Sequence, residues 1–551
     1  MVKVMSKISK LKQSRNSWKI KAVKRTDTIK SKNSEIKRIK GERDKYKAQL
    51  KETKKALEEE RKKNMSPIIQ NKEELIFISL RLFIAGHVGF RTISRVLGIL
   101  QIYLGISKPP SPQTIINWVT RYALAKIWNY SGVPSLALTK NKIVNGAIWM
   151  IDTSIALGAG KILAVLEAKI DHFKHNQSAP TLENINCVAI SVANSWTGES
   201  IANFLQQVIN VTGKPAAFLK DGGRDLMKGV RLLNERGIYS LSIDDVSHVV
   251  ANLLKNEFSK HPLYEKFISA CGQASKRFKQ TILGFFSPPN ASTKSRFMNI
   301  HRLVKWAEMV LKHSPAGRAS KGSAISKLRI ALGKLPECKL FIKRFLRDAL
   351  PLLKSQEILK NRGLNLTTYE ECKELLKEIP ETSSVRIGFI TWMEKQLMVA
   401  ESLGLGEIGM IVSSDNIESL FGIGKSHGTG EVKDANRIAL RLPAFCGELT
   451  MDSAKMVLNV TVKQQQEIEQ KLLSLTRQRR AILPNPGTLT QSLITSDCNL
   501  SLLPVPKRVE KSNNMTNILD SYLKDADPGN QPQNQTYIPN NTIADQYSAA
   551  S

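Results

Sequence analysis

Residues 143–157 read IVNGAIWMIDTSIAL, an apolar run rich in β-branched side chains that reaches an acidic residue at Asp152. Two more runs of the same kind follow, KILAVLEAKI at 161–170 and NCVAISVANSW at 186–196, and stretches with Gly, Ser, Asn and Pro separate the three. Short apolar runs between turn-forming residues are typical of buried strands. We therefore expect three consecutive strands in this part of the chain.

Helical and strand-like patterns then alternate. The segments GESIANFLQQVINVTG at 198–213 and RDLMKGVRLLNERG at 224–237 predict helices, whereas PAAFLKDGG at 215–223 and YSLSIDDV at 239–246 predict strands. An order of three strands, a helix, a strand, a helix and a strand predicts a mixed β-sheet flanked by helices. It resembles the order of an RNase H-like domain, and the expected fold class is α/β.

Two carboxylates lie at predicted strand ends. Asp152 follows the apolar core of the first strand, and Asp221 follows the fourth. An Asp at a strand end is most often a cap or turn residue. In an RNase H-like sheet, however, the first and fourth strands are neighbours, so the two carboxylates could share one metal. Gly222 and Gly223, directly after Asp221, would allow backbone or substrate to approach closely.

With these two residues the chain resembles the DDE/DDD transposase superfamily, whose members carry a third carboxylate on a later helix. Glu418, in SDNIESLFG at 414–422, is our choice for that position, one turn into a helix that Ser414 or Asp415 could cap. The resemblance covers about residues 143–255 and 406–450. It implies two Mg²⁺ (or Mn²⁺) ions held by Asp152, Asp221 and Glu418, because phosphodiester transfer uses hard oxygen ligands.

Alternatives for two of the three positions remain open. Asp225 and Asp244 compete with Asp221, and the third position has competitors in Glu401, Glu407 and Asp415.

A second resemblance lies in Asp245-Val246-Ser247-His248, directly after the fifth predicted strand. It is similar to the Cys/Asp-x-x-His signature of Mutator- and hAT-type elements and their bacterial relatives. The resemblance implies that Asp245 and His248 support the active site or the DNA strand. The alternative is that Asp245 only caps the helix that follows it.

The charge of the chain points to a polyanionic partner. Its 551 residues hold 82 Lys and Arg against 48 Asp and Glu, a net charge of +34. Each cation that neutralises a phosphate releases a counterion, which favours nucleic acid over the alternatives of a ribosome-like or membrane-surface protein. No apolar run reaches the roughly 18 residues of a membrane span. Six scattered cysteines argue against a zinc knuckle or a disulfide framework and fit a reducing compartment.

Residues 1–64 carry 23 Lys and Arg against 8 Asp and Glu. From about Ser34 to Lys63 the composition predicts a helix. Its apolar residues at heptad-like spacing, broken by Arg43 and Thr53, suggest a short coiled coil; they are Ile36, Ile39, Tyr46, Leu50 and Leu57. A solvated basic helix that only touches phosphates is the alternative.

Residues 72–131 predict three helices, and the third has a clear start, with Ser111 as N-cap and Pro112 at the first helical position. Short polar residues and an Arg on one face of this helix resemble the helix-turn-helix of bacterial transposases. The residues expected to contact DNA are Gln113, Thr114, Asn117 and Arg121. Plain helical packing is the alternative. Lys425, beyond Glu418, is a further candidate for a DNA phosphate.

These segments predict six regions along the chain. They are a basic arm and possible coiled coil (1–65), a helix-turn-helix-like DNA-binding domain (70–135), the first part of an RNase H-like domain (143–255), a helical insertion (256–405), the C-terminal part of that domain with Glu418 (406–478) and a disordered tail (479–551). The tail is rich in Pro, Asn, Gln, Ser and Thr, a composition that does not build a core.

The function expected from these features is a DNA transposase of an insertion sequence or similar mobile element. It would cleave and join double-stranded DNA at transposon ends and target sites, as a homodimer or higher oligomer, in the bacterial cytoplasm at the nucleoid and without a membrane partner. The alternatives are a non-catalytic sequence-specific DNA-binding protein, a decayed transposase, or an RNase H-like nuclease that hydrolyses without joining.

Overall fold

The computed structural model describes residues 2–64, 69, 71–131, 138–139, 142–143, 146–154, 160–290, 296–312, 318–426, 434–472, 485 and 500–505. Its strands are β1 (Leu138–Thr139), β2 (Lys142–Ile143), β3 (Ala147–Thr153), β4 (Lys161–Lys169), β5 (Asn186–Ala193), β6 (Ala217–Lys220), β7 (Leu241–Asp244) and β8 (Ser501–Leu502). The fold is mixed α/β and mostly helical.

Helices precede, cross over and follow the strands. Before and within the sheet they are α1 (Val2–Asn64), α2 (Lys72–Ile84), α3 (Phe90–Ile99), α4 (Gln101–Leu104), α5 (Pro112–Trp128), α6 (His172–His175), α7 (Gly198–Thr212), α8 (Arg224–Glu235) and α9 (Val246–Phe258). After it they are α10 (Tyr264–Lys279), α11 (Arg296–Lys312), α12 (Ala324–Leu332), α13 (Lys339–Arg362), α14 (Leu366–Leu375), α15 (Ser384–Ser402), α16 (Asp415–Ser426), α17 (Ala435–Ala439), α18 (Met451–Asn459) and α19 (Val462–Lys471).

Six of the described strands form one mixed sheet in the order β7-β6-β3-β4-β5-β8. Strands β3, β4 and β5 are joined antiparallel, whereas β6 runs parallel to β3 and β7 runs parallel to β6. Parallel neighbours need a crossover connection, and α7 and α8 supply the crossovers into β6 and β7. The predicted order of three strands, a helix, a strand, a helix and a strand is therefore confirmed.

The sheet is buried on both faces, which explains its uninterrupted apolar runs. Along β3, Trp149 and Ile151 face a core shared with α7 and α8. Ile148 and Met150 face the opposite way, into a larger core built with the remaining helices. Side chains alternate along a strand, so one strand holds two helical layers together.

The N-terminal helix α1 is longer than the sequence pattern predicts. It runs from Val2 rather than from about Ser34 to Asn64, and its described side chains, from Ser6 to Ala56, are all exposed. The chain has no proline and only one glycine, Gly41, in this stretch. Because nothing in its sequence breaks a helix, the helix continues through the whole basic arm.

Described residues between 256 and 405 form helices α10 to α15 and no strand. One of these helices, α13, approaches the sheet domain at two points. Gln356 donates a hydrogen bond to the Ser247 hydroxyl on α9 (3.0 Å), and Lys360 bonds both oxygens of Asp415 on α16 (2.6 and 2.9 Å).

The predicted tail of 479–551 needs a correction in its described part. Residues 500–505 lie on the sheet, and β8 pairs antiparallel with β5, with Leu500 and Leu502 buried. These leucines cover the edge of β5, which explains why a short apolar segment in a polar region is held in place. Apart from Asn485, the rest of the predicted tail lies outside the described residues.

Across the described part of the chain, no helix combines the length and apolar character needed to cross a membrane. The five described cysteines are all buried and free of disulfides.

Candidate acidic site

Asp152 and Asp221 lie side by side at one edge of the sheet. The parallel register of β3 and β6 pairs Ile151 with Lys220, so the next residue on each strand is the predicted carboxylate. Adjacent strands are about 4.8 Å apart. The strand order predicted from the sequence therefore brings these two carboxylates together.

The electrostatics of Asp152 reflect this proximity. Burial, and next the charge of Asp221, raise the pKa of Asp152 to about 7, and Glu418 adds to the rise. Two contacts oppose it: the Thr153 backbone N–H, which donates to Asp152 Oδ1 at 2.6 Å, and the nearby charge of His248. Carboxylates that the fold holds close together repel each other, and such a pair is a candidate site for a cation.

Asp221 is held by the turn that follows it. Its Oδ1 accepts a hydrogen bond from the backbone N–H of Gly223 at 2.8 Å. A Cβ built on Gly223 would lie 2.7 Å from that same oxygen, whereas one on Gly222 would meet no atom closer than 3.5 Å. Glycine at 223 is thus required by the close approach of the carboxylate, and not by its backbone angles, since its φ is −63°.

Glu418 is the fourth residue of α16, as predicted, and its side chain approaches the same site from that helix. Its Oε1 is 3.7 Å from His248 Nε2, and its side chain is half exposed. Contact with Glu418 raises the pKa of His248 to about 9 against the effect of burial, and the charges of Asp245 and Asp221 add to it. His248 in turn lowers the pKa of Glu418. We call Asp152, Asp221, His248 and Glu418 the acidic site.

Asp245 is not a candidate ligand of the acidic site. Its hydrogen bonds connect the segments that carry His248 and Glu418. It is the N-cap of α9, since its Oδ1 accepts the backbone N–H of His248 at 2.9 Å. Its Oδ2 accepts the backbone N–H and the hydroxyl of Ser414. The capping interpretation is therefore confirmed, and Asp245 also bonds the residue that directly precedes the helix of Glu418.

The competing carboxylates lie in other surroundings. Asp244 is bonded to the buried Lys220 at 2.8 Å, and Asp415 to Lys360. Asp225 lies on the exposed surface of α8, while Glu401 and Glu407 are exposed near the end of α15 and beyond it. Besides Asp221, the carboxylate that affects the pKa of Asp152 is Glu418.

A divalent metal fits the donor set of the acidic site in its chemistry. Three carboxylates from three elements offer oxygen ligands, and a cation would relieve the repulsion felt by Asp152. The described residues nevertheless contain no group of three or more His, Cys, Asp or Glu side chains already spaced to hold a metal ion. Here the Glu418 carboxylate lies 3.7 Å from His248 Nε2.

The predicted DNA-contacting residues of α5 differ in their accessibility. Ser111 caps the helix and Pro112 begins it, as predicted. Gln113 is exposed and donates to Asn117 at 2.9 Å, but Asn117 also accepts a hydrogen bond from Gln465 of α19 at 3.1 Å. The Nε of Arg121 is buried without a hydrogen-bond partner.

Packing explains why the free face of α5 is small. The helix contacts α2, α3 and α18, and its second half is buried almost all round. Thr114 is partly buried and bonded to Ser111, so the exposed polar surface is concentrated at the first turn. Lys425 lies in the last turn of α16, close enough to lower the pKa of Glu418.

Three residues in the segments around the acidic site were not singled out from the sequence. Lys360 and Gln356 come from α13, and Lys220 lies on β6 directly before Asp221. Lys220 carried a signal, because a lysine inside an apolar strand needs a buried partner. Nothing in the local sequence distinguishes Lys360 from the other lysines of its amphipathic helix.

No protein-family model matches this chain, and no curated protein shows significant sequence similarity to it.

Proposed function

We propose that this chain is a DDE-type DNA transposase, which cleaves DNA at the ends of a mobile element and joins it to a target. The observation that carries the proposal is the placement of three carboxylates from separate elements. Asp152 and Asp221 directly follow the paired residues Ile151 and Lys220, and Glu418 lies 3.7 Å from His248, whose charge acts on both aspartates. A capping role for each Asp would not require the others nearby.

The sheet order supports the finer part of this proposal, an RNase H-like fold. Strands β5, β4, β3, β6 and β7 lie side by side, which in chain order gives 3-2-1-4-5, with the last two parallel to the first. In this order the first and fourth strands are neighbours, which brings Asp152 and Asp221 to the same edge of the sheet. On this interpretation, α10 to α15 are an insertion between the fifth strand and the helix of Glu418.

Asp152, Asp221 and Glu418 would hold Mg²⁺ or Mn²⁺ in the active complex. A metal pair at such a site activates the attacking oxygen and stabilises the leaving oxygen of a phosphodiester. Hydrogen bonds set the positions of the charges. The backbone N–H of Gly223 donates to Asp221, that of Thr153 donates to Asp152, and Asp245 accepts the backbone N–H groups of His248 and Ser414. His248, 3.7 Å from Glu418, would offset the negative charge of that carboxylate.

The net charge of +34 supports DNA as the partner. Lys360 and Lys425 bring positive charge to α16, beside the proposed reaction centre, where DNA phosphates would lie. The exposed first turn of α5, with Gln113, remains the best candidate for base contacts among the predicted residues, since recognition helices contact bases with their N-terminal residues.

The test is a cleavage and joining assay with the full chain, Mg²⁺, and duplexes made from the DNA that flanks its coding sequence. Asp152→Asn, Asp221→Asn and Glu418→Gln should each abolish strand cleavage while binding of the same duplex is retained. Asp225→Asn and Glu407→Gln are the matched controls, because both carboxylates are exposed and outside the acidic site. Cleavage by any of the three site variants at the wild-type rate would refute the assignment.

The same assay separates the alternatives. Binding without metal-dependent cleavage by the wild-type chain would indicate a DNA-binding protein or a decayed transposase. Cleavage without joined product, when a target plasmid is supplied, would indicate a nuclease with the same carboxylates.

A further inference from the structure

The exposed apolar side chains of α1 form a pattern that extends well beyond the segment predicted as a coiled coil. Large apolar residues on this helix are at least 46% exposed, from Ile8 to Leu50. Eight of the ten exposed on the described part of α1 fall on one a/d heptad register. They are Ile8, Leu11, Trp18, Ile29, Ile36, Ile39, Tyr46 and Leu50; Ile20 and Val23 are the two off it.

This heptad spacing indicates packing against a partner helix. In a straight helix, residues seven apart drift by about 20° per heptad, so over six heptads the row would wind around the surface. A strict seven-residue repeat stays on one side only if two helices supercoil around each other. An isolated helix that merely touches phosphates has no reason to keep that repeat.

The charges beside the a/d row distinguish the possible partners. With Ile36 at position a, the g positions hold Glu35 and Glu42, and the e positions five residues later hold Lys40 and Lys47. In a parallel, in-register pair, each g residue faces the e residue of the next heptad on the other helix. Both glutamates would therefore face lysines, twice each in a symmetric dimer.

In an antiparallel pair of helices, the same charges would repel each other. There e faces e and g faces g, which sets lysine against lysine and glutamate against glutamate. The helix is also too basic overall to favour a second basic helix without such specific pairs. Of the eight acidic residues of α1, Glu35 and Glu42 are thus placed where a parallel copy of the same chain would pair with them, whereas Lys7 faces Lys12 in the same register.

We propose that α1 forms a parallel, in-register, two-stranded coiled coil with α1 of a second copy of this chain, specified by Glu35–Lys40 and Glu42–Lys47 pairs between the copies. Within one chain Glu42 bonds Arg38 at 3.0 Å, four residues earlier, and this contact would be shared or exchanged on pairing. Arg15, Arg25, Lys32 and Arg43 interrupt the apolar row, which limits the affinity.

The pairing does not depend on the proposed enzymatic function, because it uses residues far along the chain from the acidic site. It would join two copies of the chain along their basic N-terminal helices.

Disulfide trapping in the full chain tests the register directly. Ile36→Cys places a thiol at a, where two parallel in-register copies bring position 36 against itself, whereas Ser34→Cys places one at f, facing outward. We expect a covalent dimer on mild oxidation for Ile36→Cys and none for Ser34→Cys or the wild type. Equal trapping of the two variants, or no trapping of Ile36→Cys, would overturn the proposal.

Charge reversal tests the specificity. The double variants Glu35→Lys/Glu42→Lys and Lys40→Glu/Lys47→Glu should each weaken self-association at least about 10-fold in sedimentation equilibrium, since four attractive pairs become repulsive. The two variants should associate when mixed, and the quadruple variant, which keeps the wild-type net charge, should recover the wild-type affinity. Undiminished self-association of both double variants, or no recovery in the quadruple variant, would contradict the pairing.

Discussion

The carboxylate of Asp245 accepts two hydrogen bonds from Ser414, from its backbone N–H at 2.6 Å and from its hydroxyl at 2.8 Å. The two residues are 169 positions apart in the chain. Because Asp245 also caps the helix of His248, while Ser414 directly precedes the helix of Glu418, one buried side chain fixes both elements that bring His248 and Glu418 to 3.7 Å. The Val246 N–H, which donates to the Val412 carbonyl at 2.9 Å, reinforces the same junction.

Replacing Asp245 should therefore cost stability and also disturb the acidic site. Asp245→Ala removes the cap of α9 and leaves the buried Ser414 N–H without an acceptor, a loss of about 2 to 4 kcal/mol in the free energy of unfolding. Ser414→Ala, which removes only the hydroxyl donor, should cost about 1 kcal/mol. Denaturant unfolding of the two variants measures both; equal midpoints for Asp245→Ala and the wild type would show that the junction contributes nothing.

Gly223 offers a test of how precisely Asp221 must be placed. In Gly223→Ala the new Cβ would meet Asp221 Oδ1 at 2.7 Å, so the carboxylate has to move. We expect a loss of cleavage of about 10-fold or more, since a misplacement of about 1 Å can cost 100-fold. Thermal stability should change little, because alanine adopts the Gly223 backbone angles without strain.

Gly222→Ala is the matched control for this substitution. Its Cβ would make only an ordinary contact at 3.5 Å, to Asn252, and cleavage should stay near the wild-type rate. Similar rates for the two alanine variants would mean that the position of Asp221 is not critical.

Metal binding at the acidic site predicts two effects on thermal stability. Without metal, Asp152→Asn should stabilise the fold by about 1 to 3 kcal/mol at neutral pH, because it removes a buried charge that Asp221 repels. Millimolar Mg²⁺ should raise the melting temperature of the wild type but not of Asp152→Asn, since a ligand stabilises only the state that binds it. A Mg²⁺ shift that survives in Asp152→Asn and in Asp221→Asn would place the metal elsewhere.

Glu167 on β4 predicts a pH dependence that is separate from catalysis. Burial raises its pKa to about 7, while Asn186 and Lys169 lower it; its carboxylate also accepts a hydrogen bond from Tyr130. Glu167 ionises near pH 4.5 in the unfolded chain, whereas in the folded chain it ionises only near pH 7. Stability contributed by the protonated group is therefore present below pH 4.5 and is lost between about pH 4.5 and 7, by up to about 3 kcal/mol.

Glu167→Gln should remove this loss, because the amide keeps the shape of the side chain and never ionises. The variant should unfold at a higher temperature than the wild type at pH 8, and the two should converge toward pH 5. Parallel stability curves across this range would show that Glu167 does not titrate in the window.

Local patterns in the sequence determined much of the sheet and half of the acidic site. Apolar runs bounded by turn residues marked β3, β4 and β5, and the strand order placed Asp152 beside Asp221, because neighbouring parallel strands end at the same edge. Ser111 and Pro112 marked the start of α5 for the same kind of reason, since capping acts within one turn. The length of α1 also follows from local sequence, although only its second half was predicted.

Tertiary structure decided the rest. The contact between His248 and Glu418, the bonds of Asp245 to Ser414, the covering of Asn117 by Gln465 and the pairing of β8 with β5 each join residues far apart in the chain. Such contacts depend on how helices pack and where the chain returns, and the residues that make them look locally like any other surface Glu, Ser or Gln. The sequence alone therefore determined which strands carry two of the carboxylates, and only the packed structure decided that Glu418 lies 3.7 Å from His248.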